Sequence, residues 1–335
     1  MAYTTIDNPE LYFQVKLYTG DGSTPSITLD GDTDMQPDMV WIKNRDAADS
    51  HCLFDAVRGA TEVLHPDATT AETTDADTLT SFDSDGFALG DDDKVNTNTE
   101  KYVAWCWKES ATSGFDIVGF TGNETNRTVS HSLSAVPHYM VVRTRNGAAG
   151  RNYSVYHHKN TSAPETDHIF WDSTQATEDD ATIWQDTAPT SSVFSIGTNL
   201  GVNEDTKNII AFLWTEKQGF SKFGGYTGNG NADGAFIYTG FRPAYIMIRD
   251  TGNAENWFLF DNKRDGYNVN KVLLYANTIT ADTTTGANQI DLLSNGFKCR
   301  STDNGTNRSG ATGFIYMAFA EAPFVNSNGV PCNAR

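Results

Sequence analysis

Tyr18-Thr19-Gly20-Asp21-Gly22 returns as Phe120-Thr121-Gly122-Asn123-Glu124 and again as Tyr226-Thr227-Gly228-Asn229-Gly230. Further landmarks follow each copy in the same order. Pro37-Asp38-Met39-Val40-Trp41-Ile42-Lys43 becomes Pro137-His138-Tyr139-Met140-Val141-Val142-Arg143 and then Pro243-Ala244-Tyr245-Ile246-Met247-Ile248-Arg249. Each copy closes on an alanine-centred apolar run: Tyr102-Val103-Ala104-Trp105-Cys106-Trp107, Ile209-Ile210-Ala211-Phe212-Leu213-Trp214 and Tyr316-Met317-Ala318-Phe319-Ala320. Pro37 and Pro137 are 100 residues apart and Pro137 and Pro243 106, while Ala104, Ala211 and Ala318 are spaced by 107. Such a period exceeds the roughly 20–50 residues of a solenoid unit and matches a small domain. The 335 residues therefore read as three tandem domains of one fold, residues 11–113, 114–218 and 219–324, between an N-terminal arm (1–10) and a C-terminal arm (325–335). The joints are too short to act as flexible linkers, so the domains should touch.

Within a copy the apolar segments are short, β-branched or aromatic, and bounded by Gly, Asn, Asp and Thr. Hairpin signals stand at Asp85-Gly86, Asn146-Gly147, Asn295-Gly296 and Asn304-Gly305. Apolar spacing of three and four is not sustained over several turns, so helix should be scarce. The expected fold class is all-β, with each copy of about 105 residues a β-sandwich or jelly-roll-like unit. The alanine-centred run, apolar on both sides, should be a central strand buried on both faces. The Pro-x-Tyr-Ile-Met-Ile-Arg segment should be the other central strand. The two arms should be extended and ordered by docking on a neighbour.

The formal net charge of −19 repels phosphate backbones and argues against a nucleic-acid partner. No apolar run approaches the ~20 residues that a bilayer requires, so membrane insertion is not expected. Cys52, Cys106, Cys299 and Cys332 occupy non-equivalent places in the copies, whereas a disulfide framework would repeat with the domain. Free thiols are expected. Met1-Ala2-Tyr3-Thr4-Thr5 lacks the basic start and apolar core of a signal peptide, which implies synthesis in a cytoplasm.

Candidate sites are sparse. Asp30, Asp32 and Asp34 alternate on a turn as calcium-loop carboxylates do, although Met35 and Trp41 stand where such a loop needs Gly and Glu. Calcium is thus the one candidate cofactor. The Asp91-Asp92-Asp93 and Asp83-Ser84-Asp85 clusters are oxygen-rich in the same way, and hydrated loops explain both. Adjacent His157 and His158 would point to opposite faces of a strand, which disfavours a shared zinc ion. Lys43, Arg143 and Arg249 each end a strand and read as solubilising charges at a sheet edge. Trp171, Trp184 and Trp257 lie in polar surroundings and are the candidate ligand-binding residues, since an indole face can stack on a sugar or anchor a protein contact. No nucleophile elbow, zinc-protease helix, phosphate loop or dinucleotide fingerprint is present. Polar residues that look catalytic do not recur across the copies, so an enzyme is not expected.

The third copy carries Gly219-Phe220, Tyr226-Thr227-Gly228-Asn229-Gly230, Gly240-Phe241-Arg242-Pro243, Trp257-Phe258-Leu259-Phe260-Asp261, Ser294-Asn295-Gly296-Phe297 and Phe319-Ala320-Glu321-Ala322-Pro323-Phe324. This series resembles a repeated lectin-like or tail-fibre-like β-sandwich domain of structural proteins in tailed bacteriophages, of the marine and cyanophage type. It weakens in the other copies, where Gly240-Phe241 becomes Met35-Gln36 and Ala135-Val136. The resemblance implies a virion structural protein that acts by binding, most simply a tail-fibre or tail-associated adsorption component. Its partners would be other virion proteins, further copies of itself in a symmetric homo-oligomer, and a host surface glycan or protein. A capsid decoration or head-fibre protein is the alternative, and a polysaccharide depolymerase a third reading.

Overall fold

The computed structural model describes residues 2–284, 286–310 and 313–332. It is all-β: the described residues form 26 strands, four one-turn α-helices and one 3-10 turn. Every strand pairing is antiparallel. The largest sheets are three of six strands, and they share one connectivity. In the first, the order across the sheet is Phe13–Thr19, Lys101–Trp107, Met39–Asn44, Cys52–Asp55, Gly59–Leu64 and Thr73–Thr74. The second runs Phe115–Thr121, Asn208–Trp214, Tyr139–Thr144, Ser154–His157, Asp167–Phe170 and Glu178–Asp179. The third runs Ser221–Tyr226, Phe314–Pro323, Phe241–Asp250, Phe258–Asp261, Val272–Tyr275 and Thr283–Thr284. A small sheet accompanies each, of three, two and three strands respectively.

The alanine-centred run of each copy lies second in its sheet, between the first strand and the Pro-led strand, and alternation splits its side chains between two interiors. Tyr102, Ala104 and Cys106 enter a core confined to the first copy, together with Ile27, Phe87 and Leu89 of the small sheet. Val103, Trp105 and Trp107 face the other way, into a cluster that all three copies build. There Phe13 stacks on Phe319 with centroids 5.0 Å apart, Trp41 meets Trp171 at 5.0 Å and Tyr139 meets Phe223 at 5.8 Å. Each contact joins a different pair of copies. Every large sheet is therefore covered on both faces, by its own small sheet and by its two sisters.

Edge contacts repeat the same cycle. The amide of Glu72 donates to the Arg145 carbonyl at 2.8 Å, that of Thr177 to Thr251 at 2.9 Å and that of Asp282 to Arg45 at 2.9 Å. First joins second, second joins third, and third joins first. Two of these junctions carry buried ion chains. Arg58 pairs with Asp55 and, at 2.9 Å, with Glu72, which Arg145 of the next copy meets at 2.6 Å. Arg264 pairs with Asp261 at 2.6 Å and Asp282 at 2.9 Å, and Arg45 closes on Asp282 at 2.7 Å. In the remaining junction the counterparts are neutral, and Thr177 donates to Asn160 at 2.7 Å.

The Thr-Gly landmark has a local cause. Asn96, Asn203 and Asn307 end three of the one-turn helices, are fully buried, and accept from the amides of Asp21, Asn123 and Asn229 at 2.9, 3.0 and 3.0 Å. Their amide groups donate to Gly90 and Ser23, to Gly197 and Thr125, and to Ser301 and Asn231 carbonyls. The landmark glycine presses on the same helix end: a Cβ on Gly122 would sit 2.1 Å from the Glu204 carbonyl oxygen. Glycine is required there by the close approach.

Pairing also corrects one equivalence. Lys43, Arg143 and Arg249 oppose Val103, Ile210 and Ile315, which sets Tyr316, and not Ala318, level with Ala104 and Ala211. A two-residue shift leaves every side chain on its original face, so the sequence pattern hides it. The bulk of Tyr316 is taken up by its partner across the strand, Gly224, whose counterparts are Lys16 and Val118.

The described parts of both arms rest on their own chain. Tyr3 Oη donates to the Gly240 carbonyl at 2.7 Å, and Asp7 accepts from the Ser327 amide at 2.6 Å. The N-terminal arm thus docks on the third copy and meets the C-terminal turn.

Candidate functional site

The sequence-predicted ligand residues are interior. Trp171, Trp184 and Trp257 are each 1% exposed, so none has a ring face to offer a sugar. Their indole N–H groups find acceptors well away from their sequence neighbours, donating to Tyr139 Oη at 2.5 Å, the Asp167 carbonyl at 3.1 Å and the Phe170 carbonyl at 2.7 Å. Trp257 reaches into the second copy through that bond.

The aspartates of the first copy also do other work. Asp30 pairs with Lys16, and Asp32 and Asp34 are exposed on the turn. Among the described residues no group of three or more His, Cys, Asp or Glu is placed to hold a metal. Asp92 caps the helical turn Asp93–Asn96 and accepts from the Lys94 amide. Lys43, Arg143 and Arg249 prove buried where edge charges were expected. Lys43 Nζ donates to the Asn44 and Ala47 carbonyls, and desolvation pushes its pKa down to about 8. Arg143 lies 4.1 Å from the Tyr153 ring centroid and donates to Ala68 and Thr70 of the first copy. Arg249 stands over Trp257 and donates to Gln175 of the second. The two arginines thus tie neighbouring copies together, while the bonds of Lys43 stay within its own. The thiols are free, with Cys52, Cys106 and Cys299 buried and Cys332 exposed.

A carboxyl pair lies in the first joint. Glu109 is pushed up to about 7, mainly by desolvation and then by its hydrogen bond with Asp116. Asp116 in turn accepts from the amide and hydroxyl of Ser132.

The second joint has the same plan and a different surface. Glu216 occupies the place of Glu109, accepting from the Phe223 amide at 3.1 Å as Glu109 does from Ile117. Here its neighbours are basic: Lys222 Nζ lies 2.9 Å away and His158 Nε2 3.8 Å. His158 donates to the Phe223 carbonyl at 2.5 Å, and burial holds its pKa down to about 4, so it is neutral near pH 7. These groups form one wall of a groove of about 500 Å³ between the second and third copies. Its floor is the strand segment Phe223 to Tyr226 with Tyr316 beside it, and Gly225 is the exposed glycine there. The opposite wall is the edge strand Phe236–Tyr238, with Ile237 turned into the core and Phe236 and Tyr238 left 49% and 53% exposed. In the corresponding edge strands the outward residues are Ser26 and Thr28, and Thr128 and Ser130. The aromatic pair is therefore particular to the third copy, and Tyr3 of the N-terminal arm supports it through a 3.1 Å contact between the Tyr3 and Tyr238 hydroxyls. The difference is visible in the sequence only when Ser26-Ile27-Thr28, Thr128-Val129-Ser130 and Phe236-Ile237-Tyr238 are set at equivalent positions, because these short strands lie outside the recurring landmarks.

A second cleft of about 420 Å³, between Arg242, Tyr267 and the 292–295 turn, is less available. Arg242 is paired with Glu321, and the Asn268 side chain is bonded in both directions to Leu292.

The family model for a domain of unknown function, DUF7483, matches residues 8–323. The chain belongs to the DUF7483 family. No curated protein and no solved structure matches it. The matched span takes in all three large sheets, so the family's domain encompasses the whole three-copy array.

Proposed function

We propose that this DUF7483 chain is a non-enzymatic binding subunit of a bacteriophage virion, a tail-fibre or tail-associated adsorption component that recognises a host-surface saccharide. Its three tandem β-sandwich units act as one rigid body, and recognition is assigned to the groove of the third. One observation carries the binding reading: a scaffold repeated three times keeps small polar residues on two edge strands and exposes Phe236 and Tyr238 on the third, beside a groove shared with the second copy. Exposed aromatic faces beside hydrogen-bonding groups suit the C–H faces and hydroxyls of a pyranose. The virion setting comes from the tail-fibre-like motifs of the third copy. Assembly with other virion proteins or with further copies of the chain belongs to the same proposal.

The test is binding of the labelled protein to an array of bacterial-surface oligosaccharides, beside purified tails and empty capsids. Signal on the array that is lost in the Phe236→Ala/Tyr238→Ala double variant is expected. Binding to capsids alone would move the protein to shell decoration and end the search for a sugar site.

A further inference from the structure

We infer that the groove of the third copy selects an anionic saccharide, one bearing carboxylate or sulfate groups, with Lys159 as the residue that reads the charge. This deepens the saccharide-binding reading above and rests on it. The chain carries 43 acidic and 24 basic residues, yet the groove wall facing the aromatic pair holds Lys159 and Lys222 against the single carboxylate of Glu216. Glu216 is already engaged by Lys222 at 2.9 Å. Lys159 is exposed and forms no ion pair among the described residues, so its ammonium is available to a ligand. The floor supports the same conclusion. Gly224 is covered by the Tyr316 ring, whereas Gly225, the counterpart of Leu17 in the first copy, is exposed and lies against the base of Lys159, where a Cβ would come 3.4 Å from that of the lysine. A ring lying on Phe236 and Tyr238 can then turn an acidic substituent toward Lys159. A peptide added as a further strand fits less well, because the exposed edge is only three residues long.

Titration calorimetry of the full chain at physiological salt would use two probes of equal length, a hexamer of galacturonic acid and a hexamer of neutral galactose. The wild type should bind the uronate about tenfold more tightly or better. Lys159→Glu should remove that preference and leave the neutral affinity in place, whereas Phe236→Ala/Tyr238→Ala should weaken both. All three side chains are exposed, and a melting curve for each variant checks that the fold is kept. Equal affinity for the two hexamers, or a preference untouched by Lys159→Glu, overturns the inference while leaving saccharide binding intact. Absence of binding to either probe, together with a blank oligosaccharide array, overturns both.

Discussion

At the scale of single residues, the buried histidines show how a polar group can sit in an apolar interior. His51 accepts from Trp41 Nε1 at its Nδ1, 2.9 Å away, and its Nε2 faces the Tyr275 carbonyl at 3.1 Å. His157 repeats the plan: the Lys159 amide donates to Nδ1 at 3.0 Å, and Nε2 donates to the Tyr316 carbonyl at 3.2 Å. Both ring nitrogens are used, and only the neutral tautomer fits. Burial accordingly holds His51 well below the ordinary imidazole range and His157 down to about 3. The native state thus stays neutral while the unfolded chain takes up a proton below about pH 6.5. Stability present above pH 6.5 is lost as pH falls toward 3, with a limiting slope of ~1.4 kcal/mol per pH unit for each such group. Asp172, raised to about 6, and Glu109, raised to about 7, act in the opposite direction, losing their contribution as pH rises through those values. Comparing wild type with His157→Gln cancels these background terms. Urea unfolding between pH 6.5 and 4 should show the wild type losing stability more steeply, by about one proton's worth; parallel profiles would mean that His157 is not held neutral.

Between elements, the junctions decide how strongly the copies are coupled. The Arg58 and Arg264 side chains are fully buried, each bonded to an aspartate three residues before it, to an acid immediately preceding the edge strand and to a backbone carbonyl. Removing one partner leaves a desolvated charge, whereas removing both exchanges the pair for apolar contact. Asp261→Asn should therefore cost ~3–5 kcal/mol, and Asp261→Asn/Arg264→Met should recover a substantial part of it. Equilibrium urea unfolding of the wild type and both variants measures this, and a double variant no more stable than the single one would show that the arginine contributes chiefly by packing. The sequence held the signal. Leu53-Phe54-Asp55-x-x-Arg58 recurs as Leu259-Phe260-Asp261-x-x-Arg264, but the middle copy reads His157-x-x-Asn160, and a search for residues common to all three passes over it. Strand content, the doubly buried central strands and the order of the landmarks were legible because period-2 alternation is a local property. The interior positions of Arg143, Arg249 and Trp257 were not, because what buries them belongs to a neighbouring copy, with contacts 74 to 87 residues away in the chain. Trp105 likewise looks local in sequence and faces Asp261 in space.

For the whole molecule, the shared cluster sets the unit of folding. A chain of 335 residues would ordinarily divide into domains that melt separately, since single cores stop growing at about 250–300 residues. Here each large sheet buries one face only against the other two. A copy removed from the array would expose Met39, Trp41, Trp105 and Trp107 or their counterparts Tyr139, Val141, Phe212 and Trp214, all 2% exposed or less in the intact chain. Each buried side chain of this size is worth ~1.5–3 kcal/mol, so four of them exceed a large part of the ~5–15 kcal/mol that holds an ordinary domain folded. The amide contacts from third copy to first close the cycle, leaving no terminal copy with a free face. Scanning calorimetry should accordingly give one transition with calorimetric and van't Hoff enthalpies in agreement. Three resolved transitions would show that the copies are stable alone and that the common cluster is only a surface on which they rest. A rigid body of this kind also fixes the groove, because its two walls belong to different copies: Lys159 and Glu216 come from the second, Phe236 and Tyr238 from the third. Loosening the junction should then weaken ligand binding without any change at the groove itself.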